Sequence, residues 1–339
     1  MAQTRGGRTP TLKDVAEAAG TAVMTASRAF ARPELVAEET RLKVLKAAEQ
    51  IGYQRNSLAR ALRPGGRSGL IGVVVANIAN PFYSSLAQGI DEELQRRGYR
   101  MMLAHSADDA EREQAVLNDL RTWRVDGIVI VPAAGASALE SLRPGSGSAP
   151  VVIVGRGSGG GDFDEVLVDD LDGARVAVAD LLAQGHRRIA YVGNEAILPT
   201  SVDRLRGYRC ALAEAGLQAD ESLVKQGCET VEQARMAMAG LLASATPPTA
   251  VFAGNNRAMV GALKAMREAD RMLVVNGFDE LELAELLKVR CGMMSFDAVA
   301  MGRTSAELIV SRLAGESVGA SRRVIVPSVL VHAGGTLGE

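Results

Sequence analysis

Polar and aromatic side chains follow the ends of several apolar runs in this chain, and their types suit the binding of small polar molecules. Asn80 and Phe82 lie in NPFY, directly after LIGVVVANIA. An amide can hydrogen-bond a polar ligand, and a phenyl ring can stack on a ring face. Asn255 follows TAVFAG, Asp170 ends VLVDD and Asp279 ends VVNGFD. For a single Asn or Asp at such a position, capping the next helix is as good an interpretation as contacting a ligand.

One glycine-rich stretch matches an enzyme motif in its letters. GRGSGG, residues 155–160, follows PVVIVG and fits the dinucleotide-binding fingerprint G-x-G-x-x-G. That fingerprint requires a helix at its third glycine, to present the helix N-terminus to a pyrophosphate. Here GGDFDEVLVDD follows, which predicts a loop and another strand. No Ser-His-Asp order, pair of catalytic carboxylates or P-loop lysine motif stands out either, so we expect neither an enzyme nor a cofactor.

Two series of strand and helix patterns must position the candidate residues. Continuous apolar runs are typical of strands buried on both faces of a parallel sheet. The first series is LIGVVVANI, YRMMLAH, GIVIVP and VVIVG; the second is VLVDD, RRIAYVG, LVKQG, TAVFAG and MLVVNGFD. The fold class is therefore α/β, with two doubly wound lobes of the periplasmic-binding-protein type. Ligands bind such sheets beyond the carboxyl ends of the strands, so the cleft between the lobes is the expected ligand site.

The N-terminal segment has a different pattern, of three helices. Thr11 with Asp14 predicts an N-cap, and Gly20 predicts a helix end before a second helix begins at Val23. Helices this short are marginal in water alone, so they must pack together. A third helix, in ETRLKVLKAAEQIGY, offers an apolar face of Val44, Leu45, Ala48 and Ile51. This order predicts a helix-turn-helix unit, whose second helix enters the DNA major groove.

The charge distribution separates the same two regions. Residues 1–67 hold 12 Lys or Arg against 6 Asp or Glu, whereas the rest of the chain holds 26 against 34. A basic small unit beside an acidic large one suggests a polyanion partner for the first unit. A solvated basic surface explains the charge alone equally well. The helix-turn-helix pattern favours DNA.

The composition is that of an ordinary globular protein, 47% hydrophobic and 23% charged. No apolar run reaches the roughly 18 residues of a membrane-spanning helix, and the basic N-terminus has no apolar core of a secretory signal. The three cysteines and three histidines are widely spaced. We expect reduced thiols in a cytoplasmic protein, with no metal site and no membrane partner.

Together these motifs resemble the lactose-repressor (LacI/GalR) family of bacterial transcription regulators. TLKDVAEAAG, TxSR at 25–28, ETRLKVLKAAEQIGY, Asn56 and ARAL resemble its DNA-binding headpiece and hinge helix. LIGVVVANIANPFY, VDGIVIVP, LAQGHRRIAYVG and RLRGY extend the resemblance over nearly the whole chain. It implies a headpiece with hinge and linker over 1–67, and a two-lobed effector-binding and dimerisation domain over 68–339.

The resemblance also implies the DNA contacts. Arg28 would face the major groove, where arginine can bond bidentately to guanine. Val23 and Met24 would touch apolar base edges there, although helix packing is an equally good interpretation of both. Leu62 would wedge between base steps of the minor groove and kink the DNA. The expected DNA-binding residues are Thr11, Val23, Met24, Thr25, Ser27, Arg28, Asn56, Ala59 and Leu62.

The effector site follows from the same resemblance. Arg204, in RLRGY, matches the family arginine that meets hydroxyl or carboxylate groups of the effector, and Asp279 matches an acidic acceptor. Because the motif around each of them matches, ligand contact is the favoured interpretation of both. A small sugar or sugar acid is the expected effector, and a homodimer on double-stranded operator DNA is the expected assembly. The expected effector-binding residues are Asn80, Phe82, Asp170, Arg204, Asn255 and Asp279.

The chain departs from the family pattern at five positions that bear on function. Ala22 replaces a serine whose hydroxyl meets a phosphate, Ala26 replaces a larger valine, and Arg55 replaces the usual proline before Asn56. In the effector domain, Asn256 stands where Asp is usual and Phe296 stands where Gln is usual. These changes leave the effector identity open.

Two other functional classes remain to be weighed against a DNA-binding regulator. A sugar-binding protein without DNA function would leave the basic headpiece unexplained. A Rossmann-like enzyme would need the glycine-rich loop to bind a cofactor. Steeply salt-dependent, specific DNA binding would distinguish the regulator from both.

Overall fold

The computed structural model describes residues 10–53, 67–133, 137–143, 148–316 and 319–334. The chain forms two compact units, Met1–Ser68 and Gly69–Glu339. The division lies close to the boundary expected from the sequence. The predicted hinge contacts Asn56, Ala59 and Leu62, and the departure at Arg55, lie outside the described residues.

Three helices build the described part of the first unit. They are α1 (Leu12–Ala18), α2 (Val23–Ala31) and α3 (Glu38–Gln50), with a 3₁₀ turn at Pro33–Leu35 between the last two. The Thr11 hydroxyl accepts the amide of Asp14, and the Asp14 carboxylate accepts the amide of Thr11 at 2.7 Å. This capping box satisfies amides that the first turn leaves unpaired. Gly20 takes a left-handed φ of 63°, which ends the first helix as predicted.

The headpiece core lies where the three helices meet. Its buried residues are Val15, Ala16, Ala26, Ala29, Val44 and Ala48. The predicted face of α3 is wrong at one position, because Leu45 is 37% exposed while Ala47 is buried. Ile51 packs against this core as a partly buried residue. The interior is therefore built largely from alanines, which allows the short helices to approach closely.

Two six-stranded sheets organise the second unit. The first has strand order β11-β5-β4-β3-β1-β2 and is parallel throughout. The second has order β12-β10-β9-β8-β6-β7, with only β12 antiparallel to its neighbour. The strands are β1 Leu70–Val75, β2 Arg100–His105, β3 Gly127–Ile130, β4 Val151–Val154, β5 Asp164–Val168, β6 Ile189–Val192, β7 Val224–Lys225, β8 Ala250–Ala253, β9 Val274–Phe278, β10 Cys291–Ser295, β11 Arg323–Val326 and β12 Val329–Ala333.

Helices cover the sheets of this unit, as expected for doubly wound lobes. Val73, Val129, Val152 and their neighbours along the strands are almost fully buried, so the continuous apolar runs lie inside the sheets. The helices are α4 Pro81–Arg96, α5 Ala110–Thr122, α6 Ser137–Glu140, α7 Asp170–Ala183, α8 Pro199–Glu214, α9 Val231–Leu242, α10 Asn256–Glu268 and α11 Ala298–Ala314.

One detail of the strand prediction is wrong. VLVDD was expected to open the second series, but β5 pairs with β4 and β11 in the first sheet. The chain passes to the second lobe only after this strand, as α7 begins at Asp170. The final apolar segment, VIVPSVLVHA, forms two strands in different sheets, because Pro327 and Ser328 separate β11 from β12. The last strands therefore link the lobes again.

Candidate functional site

The two lobes of the second unit meet at a polar cleft with a cavity of about 100 Å³. Strand ends and helix starts of both lobes line it, which agrees with the general position of ligand sites beyond the carboxyl ends of strands in α/β sheets. All six residues expected from the sequence lie on its wall. The first lobe supplies Asn80 and Phe82; the second supplies Asp170, Arg204, Asn255 and Asp279. Their contact with a ligand stays a prediction.

Arg204 is held by bonds within its own lobe. Its Nε donates to Asp170 Oδ1 at 2.7 Å, and its Nη1 donates to the carbonyl of Gly254 at 2.6 Å. The guanidinium carbon lies 3.9 Å from the ring centroid of Phe278, a cation–π contact. A guanidinium has five N–H donors, so these bonds leave others that can face a ligand. The arginine is thus pre-positioned by α8, β8 and β9 together.

Two carboxyl groups beside Arg204 are affected by burial. Burial raises the pKa of Asp170 to about 6, although the Arg204 charge opposes this. Burial also raises the pKa of Asp279, while Arg204 and the backbone amide of Asn256 act in the opposite direction. Asp279 adopts a φ of 68°, in the left-handed region that non-glycine residues rarely occupy. Such conformations concentrate at ligand-binding sites.

Both asparagines expected at the site cap helices, and their amide groups also bond to other asparagines around the cleft. Asn80 caps α4 by accepting the amide of Phe82 at 3.1 Å, and Asn255 caps α10 by accepting the amide of Ala258 at 2.9 Å. Asn255 Nδ2 donates to Asn194 Oδ1 at 3.0 Å. The helix-cap interpretation therefore holds for both residues. It fails for Asp170, because Asp169 is the N-cap of α7 and Asp170 pairs with Arg204 instead.

A pair of amides joins the two lobes. Asn256 Nδ2 donates to Asn80 Oδ1 at 2.8 Å, and Asn80 Nδ2 donates to Asn256 Oδ1 at 3.3 Å. Asn256 begins α10 in the second lobe, whereas Asn80 caps α4 in the first. The departure from the family's usual Asp thus creates a reciprocal contact that a carboxylate could not make, since a carboxylate has no donor. We name it the amide latch.

An aromatic wall faces the cleft from the first lobe and the segment after β10. Phe82 packs edge-on against Tyr83, with centroids 4.9 Å apart, and against Phe296, at 5.7 Å. Phe296 therefore replaces the amide that the family usually has with an apolar surface. Aromatic rings offer apolar faces on which the C–H groups of a ligand ring can stack.

Sequence reasoning missed a second buried cation in the cleft. The Arg156 guanidinium forms a bidentate ion pair with Asp108, donates to the carbonyl of Pro132 at 2.9 Å and donates to the Tyr83 hydroxyl at 3.2 Å. Its side chain is only 7% exposed. Arg156 lies inside the GRGSGG stretch, which was interpreted only for its glycines, as a possible dinucleotide-binding motif. Its partner Asp108 is 48 residues away in the chain. Only the location of both residues after strands β2 and β4 hinted at this pair.

The glycine-rich stretch leads into a strand, as predicted from the residues after it. Gly155 follows β4, and β5 begins at Asp164. No helix therefore begins at the third glycine, Gly160, and the stretch lacks the arrangement that holds a pyrophosphate.

The second helix of the headpiece exposes its N-terminal side chains. Val23 is 47% exposed and Met24 is 64% exposed, so packing into the headpiece core does not explain these apolar residues. Arg28 is exposed one turn further on, and Thr25 and Ser27 are half-buried. Thr11 is exposed and forms the capping box of α1. The exposed start of α2 has the arrangement with which a recognition helix presents side chains to base edges.

Both headpiece departures have local consequences. Ala22 is the N-cap of α2 and offers no side-chain hydrogen bond to the first turn. Replacing a capping hydroxyl by Ala costs about 1 kcal/mol of stability. Ala26 is fully buried against the core, so the smaller side chain is accommodated by the close helix packing.

Across the part of the chain that the structure describes, no cluster of His, Cys, Asp and Glu is arranged to hold a metal ion. No described helix combines the length and apolar character needed to cross a membrane. Cys210, Cys228 and Cys291 are free thiols.

Comparison with known proteins agrees with both units. Residues 11–56 match the family described as bacterial regulatory proteins, lacI family. Residues 68–327 match the family described as periplasmic binding proteins and sugar binding domain of LacI family. The chain is 32% identical over 339 residues to the HTH-type transcriptional regulator CelR of Thermobifida fusca, covering 97% of this chain and 99% of that protein.

Solved structures give the same result. A CelR–cellobiose complex is 31% identical with a TM-score of 0.70, covering 96% of this chain and all of that one. The lac repressor dimer bound to operator and the anti-inducer ONPF is 23% identical with a TM-score of 0.83, covering 96% and 98% of the two chains, and shows likeness of fold alone.

These findings decide between the functional classes that the sequence left open. A sugar-binding protein without DNA function would not carry the regulatory family's helix-turn-helix match over 11–56. A Rossmann-like enzyme would need a helix where β5 stands. The chain belongs to the lacI family of bacterial regulatory proteins, and it is a DNA-binding transcriptional regulator and not an enzyme.

Proposed function

We propose that this regulator is a cytoplasmic homodimeric repressor whose affinity for its operator is set by a small neutral sugar bound in the cleft. The observation that carries the proposal is the cleft itself, where buried arginines, carboxylates and an aromatic wall face one cavity between two lobes.

Operator recognition is assigned to the exposed start of α2. Arg28 is the residue that can distinguish guanine through two hydrogen bonds, while Val23 and Met24 can contact thymine methyl groups. Thr11, Thr25 and Ser27 are assigned to the phosphate backbone, where hydroxyl groups fix the register of the protein on DNA. Asn56, Ala59 and Leu62 are assigned to the minor groove from the family resemblance alone.

The charges of the cleft favour a neutral sugar over a sugar acid. Four carboxylates line the cavity against three guanidinium groups. The two buried guanidinium groups already pair with carboxylates, Arg204 with Asp170 and Arg156 with Asp108. A ligand carboxylate would add a further negative charge to this set. A neutral sugar offers hydroxyl groups that can bond to the free faces of Arg204 and Asp279, and a ring that can stack on Phe82.

The relatives support this effector class. One family match is described as a sugar binding domain, and the 31% identical structure is a complex with cellobiose. The cavity of about 100 Å³ is smaller than the roughly 300–1,000 Å³ of typical ligand pockets. Sugar entry therefore requires the lobes to part, and this links ligand binding to a change in lobe closure.

Dimerisation is assigned to an apolar groove lined mainly by the second lobe, with Ala79, Asn80 and Pro81 of the first lobe at its edge; we name it the α10 groove. Its cavity is about 920 Å³ and lies between α10 and residues 281–289. Leu283 is 67% exposed and Leu286 is 77% exposed there. Exposed apolar surface of this extent is typical of a protein interface. A two-fold dimer would present two α2 helices to operator half-sites about one helical turn apart.

Fluorescence anisotropy with an operator selected from random DNA tests the function. Specific binding should weaken steeply between 50 and 200 mM salt, as expected when cationic side chains displace counterions from phosphates. Addition of the effector should change the operator affinity without changing the affinity for unrelated DNA. Sugar binding without any specific DNA binding would contradict the proposal.

A further inference from the structure

A second cavity opens beside the effector cleft, and we name it the side chamber. Its volume is about 720 Å³, against about 100 Å³ for the cleft. The two cavities adjoin each other. Five residues line both of them: Gly155, Arg156, Val168, Asp170 and Thr200. A molecule larger than one sugar ring can therefore extend from the cleft into the side chamber.

The glycine-rich loop after β4 forms one wall of the side chamber. Gly159 has a left-handed φ of 71°, which explains its glycine. Gly160 and Gly161 have no such conformation, and an added Cβ atom would meet nothing within 4 Å at Gly160 and only the Ser321 hydroxyl, at 4.0 Å, at Gly161. Neither turn geometry nor packing requires glycine at these two positions. The absence of side chains at Gly160 and Gly161 leaves open space along this wall of the side chamber.

The loop is held in place at both ends, so this volume is a built feature. The amide and hydroxyl of Ser158 both donate to Glu165 Oε1, at 2.8 and 2.7 Å. The Ser321 hydroxyl donates to the carbonyl of Gly161 at the other end. Glu165 itself is buried on β5 and lies 3.7 Å from Arg323. The wall therefore rests on the first sheet.

The opposite wall comes from the second lobe and is partly apolar. Ile197 is 64% exposed at the mouth of the side chamber. Thr200 and Asp203, on the first turns of α8, add a hydroxyl and a carboxylate. An exposed aliphatic side chain beside hydrogen-bonding groups suits a sugar ring, which has apolar C–H faces and a polar rim.

The charges of the side chamber indicate a neutral occupant. Three guanidinium groups and three carboxylates line it. Each of the three guanidinium groups already has an anionic partner: Arg156 pairs with Asp108, Arg322 with Asp164 at 2.6 Å, and Arg323 with Glu165. A phosphate or carboxylate group would have to displace one of these partners.

We propose that the side chamber is a second sugar subsite and that the effector is a neutral disaccharide, with one ring in the cleft and the other in the side chamber. This rests on the proposed function, since it requires a sugar in the cleft. It goes beyond that function by giving the glycine-rich loop the role of selecting for ligand length. The 31% identical relative in complex with cellobiose, a disaccharide, supports the assignment.

Calorimetric titration of the full-length protein tests the subsite. The probes are cellobiose, maltose, lactose, trehalose, sucrose and melibiose, each compared with glucose, galactose and fructose. At least one disaccharide should bind ten times more tightly than its constituent monosaccharides. Gly160→Leu should remove that advantage and leave monosaccharide affinity unchanged, because Gly160 lines the side chamber and not the cleft.

Two further variants keep the result interpretable. Ile197→Asp, at a position that is 64% exposed, should also reduce the advantage of the disaccharide. Gly240→Leu is the matched control, because an added Cβ there also meets nothing within 4 Å but lies on α9, away from both cavities; its sugar affinities should equal those of the wild type.

Three outcomes would overturn the proposal. A disaccharide advantage that survives both Gly160→Leu and Ile197→Asp would place the second ring elsewhere. A monosaccharide, or glucose 6-phosphate, binding more tightly than every disaccharide would refute the neutral two-ring ligand but leave a cleft-bound effector intact. Absence of all sugar binding, in a protein that still binds its operator specifically, would refute the sugar effector of the proposed function as well.

Discussion

At the scale of single residues, the buried pair of Arg204 and Asp170 determines how the cleft responds to protons. Burial raises the pKa of Asp170 to about 6 from an ordinary value of 3.8. The charged groups that face it are Arg204, Asp203 and Asp279. Because the folded protein keeps this proton up to a higher pH than the unfolded chain, it binds more protons between about pH 4 and 6. Stability from this group therefore falls as the pH rises through that interval.

Asp170→Asn should remove this pH dependence. An amide keeps an acceptor for Arg204 Nε but carries no titrating proton. A shift of about two pKa units corresponds to about 3 kcal/mol, so the wild type should lose up to that amount relative to the variant between pH 4 and 7. Urea unfolding at several pH values measures the difference. Parallel pH profiles for the two proteins would show that Asp170 titrates normally.

A second residue-scale prediction concerns DNA. Arg28→Ala should weaken binding to the preferred operator by about 1–3 kcal/mol and relax the base choice at one position, since a bidentate guanine contact would be lost. Arg32→Ala, an arginine at the C-terminal end of the same helix, is the control and should leave base preference unchanged. Binding to a library of operator variants gives both quantities. Uniform weakening on all sequences would make Arg28 a phosphate contact.

At the scale of elements, the asparagines at two helix starts of this cleft each cap a helix and also donate a hydrogen bond to another side chain. The side-chain oxygens of Asn80 and Asn255 accept amides in the first turns of α4 and α10. Their Nδ2 groups donate to Asn256 and Asn194, respectively. A side chain that caps a helix has little freedom to rotate. The amide latch between Asn80 and Asn256 is therefore rigid on one side, because turning the Asn80 amide would break the cap of α4.

Asn256→Asp should open the amide latch. It would place a carboxylate oxygen where an amide donor now lies 2.8 Å from Asn80 Oδ1. Two facing oxygens repel each other, and a broken hydrogen bond of this kind costs about 1–3 kcal/mol. Small-angle scattering without ligand should show a larger radius of gyration, as the lobes part more often. Asn118→Asp, on the exposed face of α5, is the control. Equal radii in all three proteins would mean that the latch does not hold the lobes closed.

The sequence predicted elements well wherever hydrogen bonding and burial are local. The Thr11 capping box and the Gly20 helix end depend on neighbours in the chain, and each buried strand is visible as a continuous apolar run. The assignment of VLVDD to the wrong sheet, and the missed pair of Arg156 with Asp108, depend on long-range pairing instead. Neither the pairing of β5 with β4 nor an ion pair between residues 48 positions apart produces a periodic pattern in the sequence. Which strand-end residues line one cavity could be predicted, but which of them pair with each other could not.

At the scale of the whole molecule, the regulator works only if ligand binding and operator binding share a conformational equilibrium. A ligand can shift that equilibrium only through its different affinities for the two states. The residues that meet the ligand in the closed cleft therefore determine the size of the response. Asp279 is the best candidate among the acceptors, since β9 holds it in a strained conformation at the cavity wall.

Asp279→Ala should abolish the ligand response of operator binding while leaving operator affinity without ligand near the wild-type value. The substitution removes the acceptor that a sugar hydroxyl needs, which costs about 1–3 kcal/mol or more for a charged group. Asp172→Ala, an exposed carboxylate on α7, is the control and should retain the response. Anisotropy titrations with and without the effector measure it. Unchanged effector affinity in Asp279→Ala by calorimetry would place the ligand elsewhere.

At the same scale, we assign the subunit interface to the α10 groove. Leu286→Asp should convert the dimer to a monomer, because it would place a charge in an apolar interface, where an unpaired charge is costly. Once two headpieces are no longer linked, binding to a two-half-site operator should weaken by at least a hundredfold, since linkage turns the second contact into an intramolecular one. Binding to a single half-site should change little.

Met236→Asp is the matched control, because Met236 is 62% exposed on α9, outside the groove, and should leave the dimer intact. Sedimentation velocity gives the oligomeric state of each protein. A dimeric Leu286→Asp would assign the subunit interface to another surface, whereas a monomer with unchanged operator affinity would show that a single headpiece reads the operator.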